Sequence, residues 1–203
     1  MANQFNKAVF IDKDGTLIRD VPYNVDPQKI VLEDGAVEAL ASLYQHDYMI
    51  IIVSNQSGIA RGYFSPEQFE ASKKALLLLL AEQGIYIDDF YYCPHHPEGN
   101  IEEYSVECLC RKPRPGMLLQ AIDEHNIDVA RSWMIGDILN DVEAGHKAGC
   151  RSILIDNGNE TEWILNDTRT PDYTAKNLVD AARYILETAA QIKRSDEKTM
   201  VRL

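Results

Sequence analysis

Ala8-Val9-Phe10-Ile11-Asp12-Lys13-Asp14-Gly15-Thr16 runs four apolar residues straight into two aspartates and a glycine. A short unbroken apolar run bounded by turn residues reads as a buried strand. The same order returns further along. Tyr48-Met49-Ile50-Ile51-Ile52-Val53 ends at Ser54-Asn55-Gln56, and Trp133-Met134-Ile135 ends at Gly136-Asp137. These runs do not alternate apolar with polar residues, as expected for strands covered on both faces of a parallel sheet.

Helical stretches separate the runs. A helix is expected over 36–44. Ser65-Pro66-Glu67-Gln68 combines an N-cap, a first-turn proline and a capping-box glutamine, so a long helix should run from there to about 82 and stop at Gly84. A third strand is read at Phe90-Tyr91-Tyr92 and a fifth at Ser152-Ile153-Leu154-Ile155, with helices over 117–125 and 141–148. Residues 156–171 are polar and turn-rich and read as a surface loop. A final helix over 178–193 precedes a charged tail, 194–203, expected to be mobile. Strand and helix alternate throughout, which predicts an α/β fold: a doubly wound parallel sheet, in one domain over 1–203.

Composition narrows the function. The 203 residues hold 32 acidic and 20 basic side chains, a formal net charge of −12, which repels nucleic-acid phosphates and anionic membranes. The apolar run 75–81 is far short of the ~20 residues that cross a bilayer, and no basic-then-apolar leader opens the sequence. A cytoplasmic protein without nucleic-acid or membrane partners is expected, with a monomer as the default. Three of the four cysteines, Cys93, Cys108 and Cys110, share a short stretch with His95 and His96, a grouping that favours metal over disulfides.

The carboxyl ends of parallel strands share one edge, where ligands bind. That edge should collect Asp12, Asp14, Ser54, Asn55 and Asp137. Singly, each has an ordinary reading: Asp12 and Asp14 as solvated turn residues, Ser54 as a strand-end cap, Lys112 as a surface lysine. Cys93, Cys108 and Cys110 with the imidazole of His95 or His96 supply three thiolates and an imidazole, a set suited to tetrahedral Zn2+ with no open position. Such a site would be structural, and it would hold the adjoining Arg111 and Lys112 in place.

Taken together, Asp12-Lys13-Asp14-Gly15-Thr16, Ser54, the lysine of Arg111-Lys112-Pro113, and Gly136-Asp137 with Asp141 resemble the four ordered motifs of the haloacid-dehalogenase superfamily of phosphohydrolases. The segments 53–62 and 93–113 are similar to its zinc-containing branch, which includes heptose bisphosphate and histidinol-phosphate phosphatases. The likeness covers roughly residues 7 to 155 and implies a Rossmann-like fold with a zinc loop, 93–110, and no large cap domain.

The resemblance implies an aspartyl-phosphate mechanism. Asp12 would be the nucleophile and Asp14 the general acid and base. Asp12, the backbone carbonyl of Asp14, and Asp137 would hold Mg2+. Ser54 and Lys112 would contact the phosphoryl group. Asp20 to Tyr23 and Ser54, Asn55, Gln56 and Ser57 would line the substrate site. Arg111 would hold a second anionic group, or else make a structural ion pair. The family spacing selects His95 over His96 for zinc. Asp141 is left between a carboxylate at the metal and an aspartate favoured by a helix start. Ile138 stands where heptose phosphatases commonly have lysine, and Lys13 where arginine is common. The twelve residues between His95 and Cys108 make a long metal loop, which favours the 7-phosphate of a heptose 1,7-bisphosphate as substrate over histidinol phosphate or another small phosphomonoester.

Overall fold

The computed structural model describes residues 5–200. Six parallel strands form one sheet: β1 Lys7–Ile11, β2 Tyr48–Asn55, β3 Asp89–Cys93, β4 Trp133–Gly136, β5 Arg151–Ile155 and β6 Tyr173–Ala175. Their order across the sheet is β3-β2-β1-β4-β5-β6. The order reverses direction beside β1, so a crevice opens at the carboxyl ends of β1, β2 and β4. Pairing of Ile11 with both Ile52 and Ile135 brings those three ends level.

The alternation of side chains along each strand divides the core into two layers. Val9, Ile11, Ile50, Ile52 and Ile135 face one side, where they pack with buried residues of α1 (Ala36–Tyr44), α2 (Pro66–Glu82) and α5 (Leu178–Met200). Ala8, Phe10, Ile51, Val53 and Met134 face the other, against α3 (Gly116–Glu124) and α4 (Leu139–Lys147). Phe10 is wholly buried there; truncation to alanine at such a site costs about 3–5 kcal/mol.

Local chemistry sets the helix ends. At α2, the Ser65 hydroxyl accepts from the Gln68 backbone N–H, and the Gln68 side chain accepts from the Ser65 N–H. The expected doubly wound sheet and its helices are present, with four differences. Strand β2 continues through Ser54 and Asn55, which therefore sit on its last two positions and not beyond it. Helix α4 starts at Leu139, two residues early, because the Glu160 carboxylate accepts from the Leu139 N–H at 2.6 Å. A sixth strand, β6, follows the polar loop. Helix α5 runs to Met200, past the expected end at 193, and residues 201–203 of the expected tail lie outside the described residues.

Candidate active site

Strand β1 delivers Asp12 to the sheet edge, where its backbone N–H donates to Ile135 O on β4. The chain then turns tightly: Gly15 N–H donates to Ile18 O, and Leu17 N–H to Lys13 O. Gly15 has φ +81°, and a Cβ there would stand 2.3 Å from Asp137 Oδ2. Glycine thus lets the turn close onto Asp137. The Thr16 hydroxyl donates to Asp137 Oδ1 at 2.9 Å from the same turn.

Lys112 is buried at the centre. Its Nζ lies 2.5 Å from Asp12 Oδ1, 2.6 Å from Asp141 Oδ1 and 2.9 Å from the Val53 carbonyl. Asn55 fixes the lysine backbone from both sides, donating to Lys112 O and accepting from Lys112 N–H, each at 3.0 Å. Gly136 makes room for Asp141, since a Cβ at Gly136 would fall 2.2 Å from Asp141 Cβ. Asp141 is wholly buried and meets both readings: it sits in the first turn of α4, accepting from the Ile138 N–H at 3.4 Å, and it joins the carboxylate cluster.

Asp12, Asp137 and Asp141 bring carboxylate oxygens within 4.8 Å of one another. Burial pushes Asp12 up to about 7; Lys112 opposes this, while Asp141 and Asp14 add to it. Burial also pushes Asp137 up to about 6, with Asp12 adding to the rise. Lys112 is held above the ordinary lysine range: burial works against its charge, but Asp12 and Asp141 outweigh it. Three carboxylates against one ammonium leave excess negative charge in a buried site. Hard oxygen donors crowded in this way fit a divalent cation such as Mg2+.

The Asp14 carboxylate lies outside that cluster. It pairs with Lys13 Nζ at 2.5 Å and accepts from Gln56 Nε2 at 2.9 Å. Gln56 Nε2 also donates to the buried Ser54 hydroxyl oxygen at 2.7 Å, which leaves the serine proton free to be donated onward. Asp14, Asp20, Tyr23, Asn55, Gln56, Ser57 and Ile138 line one hollow of about 440 Å3. Arg111 is not among its walls. It lines a neighbouring hollow of about 300 Å3 with His96, Lys112 and Arg114, and donates to the His95 carbonyl at 3.4 Å.

The thiols of Cys93, Cys108 and Cys110 lie 3.0 to 3.5 Å apart and are not bonded to one another. His95 Nδ1 completes the group, 3.4 Å from Cys110 Sγ. His96 turns away to the Arg61 guanidinium, 3.1 Å distant, so the geometry favours His95. Hydrogen bonding to Cys93, then to His95 and Cys108, draws the Cys110 thiol down to about 5. Three sulfurs and one nitrogen at this separation fit a soft, tetrahedral metal site. Cys150 is apart from the group and buried as a small apolar side chain.

The loop after β5 contributes residues that had no role in the sequence reading. Asn159 Nδ2 donates to Asp137 Oδ2 at 2.7 Å, and Asn157 Nδ2 to the Gly15 carbonyl at 2.7 Å. Their signal was position: Asn157-Gly158-Asn159-Glu160 follows the carboxyl end of a buried strand, as Asp12 and Asp137 do.

Comparisons with known proteins show which proteins the chain is similar to. A HAD-hydrolase-like family model matches residues 109–181. The chain is 43% identical to the D-glycero-beta-D-manno-heptose-1,7-bisphosphate 7-phosphatase of Haemophilus influenzae, over 89% of this chain and 97% of the relative. It is 42% identical to the Pasteurella multocida protein of the same name, over 93% and 95%. The crystal structure of a D,D-heptose 1,7-bisphosphate phosphatase from B. bronchiseptica, complexed with magnesium and phosphate, superposes with a TM-score of 0.75 at 29% identity. That match covers 90% of this chain and 99% of the other. With its strand-end carboxylates, central lysine and relatives aligned over nearly their whole length, the chain belongs to the heptose bisphosphate phosphatase family of HAD-like hydrolases.

Proposed function

We propose that this chain removes the 7-phosphate of D-glycero-β-D-manno-heptose 1,7-bisphosphate through an aspartyl-phosphate on Asp12. The observation that carries the reading is the buried Asp12–Lys112–Asp141 line at the carboxyl edge of the sheet, in a chain 43% identical to a phosphatase of that name.

The Asp12 carboxylate attacks phosphorus and forms a P–O bond while the bond to the sugar oxygen breaks. Asp14, positioned by Lys13 and Gln56 as a carboxylate, takes up a proton from solvent before the attack and gives it to the departing oxygen. Asp14 then takes a proton from water as the water oxygen attacks phosphorus. The P–O bond to Asp12 breaks and inorganic phosphate leaves. The Ser54 hydroxyl donates to a phosphoryl oxygen. Lys112 orients Asp12 and supplies the positive charge nearest the phosphoryl group. Asp12, Asp137, Asp141 and the Asp14 carbonyl are the groups available to Mg2+, which when bound offsets charge between an anionic nucleophile and an anionic phosphate.

Asp20, Tyr23, Asn55, Gln56 and Ser57 receive the sugar, and Arg111, one hollow away, takes the distal phosphate. Zn2+ on Cys93, His95, Cys108 and Cys110 holds the loop that ends in Arg111 and Lys112. Phosphorus NMR of the product tests the regiochemistry. The 7-phosphate resonance should be lost with the anomeric phosphate intact; loss of the anomeric phosphate instead would overturn the proposal.

A further inference from the structure

At the amino-terminal edge of the sheet, opposite the active site, lies a cavity of about 180 Å3. Lys7, Arg131, Arg151 and Lys193 line it, and no carboxylate does among the described residues. This is unexpected in a chain of net charge −12. Among the described residues, only Arg131 of these four is in an ion pair, with Asp128. Asp47 is near enough to act on Lys7 and partly offsets the neighbouring cations.

The cations are held there by the fold. Lys7 Nζ stands 4.2 Å from the centre of the buried Tyr48 ring, and the Arg151 guanidinium 5.3 Å from that of buried Trp133. Cation–π contact and packing of the long stems keep both heads from swinging out to solvent. Burial, with Lys193 and Arg131 adding repulsion, holds Lys7 below the usual lysine range. Clustering like charges on a partly buried wall costs free energy that an anion in the cavity would offset.

We propose that this cavity is a second anion site, which takes a phosphate group from inorganic phosphate or from a small phosphorylated metabolite. The Arg151 guanidinium offers paired N–H donors to tetrahedral oxygens, Arg131 adds charge while its Nε pairs with Asp128 and its Nη2 donates to the Phe5 carbonyl, and two ammonium groups match a dianion better than a single carboxylate. Ala189 and Ile192 of α5 leave an apolar wall for the remainder of an ester. The site is remote from Asp12, because the five residues of β1 separate the two edges by roughly 16 Å.

The test uses Trp133 as reporter. The chain has two tryptophans, and Trp163→Phe leaves Trp133 as the only indole. In that background, with Mg2+ and zinc retained, inorganic phosphate, glycerol 3-phosphate and ADP are titrated at constant ionic strength while indole emission is followed. A saturable change that weakens at least tenfold in Arg151→Gln, and likewise in Lys193→Gln on the exposed end of α5, supports the site. The ligand that saturates at lowest concentration distinguishes free phosphate from a phosphate ester. A linear response with all three ligands, or saturation unaffected by both substitutions in folded protein, overturns it.

Discussion

Lys112 Nζ lies 2.5 Å from Asp12 Oδ1, although the two residues are one hundred positions apart in the chain. The contact needs both the parallel sheet, which brings Asp12 to the edge, and the Asn55 clamp, which fixes the lysine backbone. It joins the proposed nucleophile to the end of the metal loop, and the first predictions follow from it.

Asp12→Asn keeps the size of the side chain and loses the nucleophilic carboxylate. Turnover should fall by at least ~1000-fold, with circular dichroism and zinc content unchanged. Substantial residual turnover would remove Asp12 as nucleophile.

Lys112→Met leaves Asp12 and Asp141 buried without their shared cation. Removing one member of a buried ion pair costs about 3–5 kcal/mol, so the urea midpoint should drop sharply. Mg2+ should recover part of that loss, and turnover should remain low. An unchanged midpoint would mean that the pair contributes nothing to the fold.

Cys108→Ser should lose zinc and stability together, because a tetrahedral site that loses a thiolate no longer closes the loop. Metal analysis of protein purified without chelator should give near-stoichiometric zinc for the parent and little for the variant. A zinc-free parent would refute the loop assignment.

Asn159→Ala frees Asp137 Oδ2 from the 2.7 Å hydrogen bond that orients it. Loss of such a partner behind a metal ligand typically weakens metal binding ~10-fold or more. Calorimetric Mg2+ titration should show this, and the Mg2+ concentration for half-maximal turnover should rise in parallel. Equal affinities would mean that the loop after β5 does not orient the carboxylate.

Asp12 and Asp137 are raised to about 7 and about 6, against an unfolded value of about 3.9. Between these values the folded protein binds more protons than the unfolded chain. Their contribution to stability is therefore full below pH ~4 and is lost as pH rises through about 6 to 7. Mg2+ competes with those protons. The rise in melting temperature on adding Mg2+ should be larger at pH 7.5 than at pH 5; an equal rise at both would contradict the carboxylate cluster as the binding site.

Much of this arrangement was legible in the sequence, because apolar runs that end in carboxylates specify both the strand and the edge on which Asp12 and Asp137 meet. Capping chemistry placed α2 to the residue at both ends. Other features depend on tertiary contacts. Three-residue β6 lacks a run long enough to read, and α4 starts early because Glu160, from another loop, caps Leu139. Asp141 was ambiguous since its spacing alone does not reveal that Gly136 clears space for it against Lys112. Asn159 lies in a polar stretch that composition marks only as loop. The basic cavity joins residues from the starts of four strands and from α5, a convergence visible only once the strand order is known.

The most direct test is steady-state phosphate release, with Mg2+, from the β and α anomers of D-glycero-D-manno-heptose 1,7-bisphosphate, compared with histidinol phosphate and fructose 1,6-bisphosphate. The predicted result is a kcat/KM for the β anomer at least ~100-fold above that for histidinol phosphate and fructose 1,6-bisphosphate, and above that for the α anomer, a gap of about 2.7 kcal/mol in transition-state binding. Comparable slow turnover of all four, or a preference for histidinol phosphate, would contradict the heptose assignment.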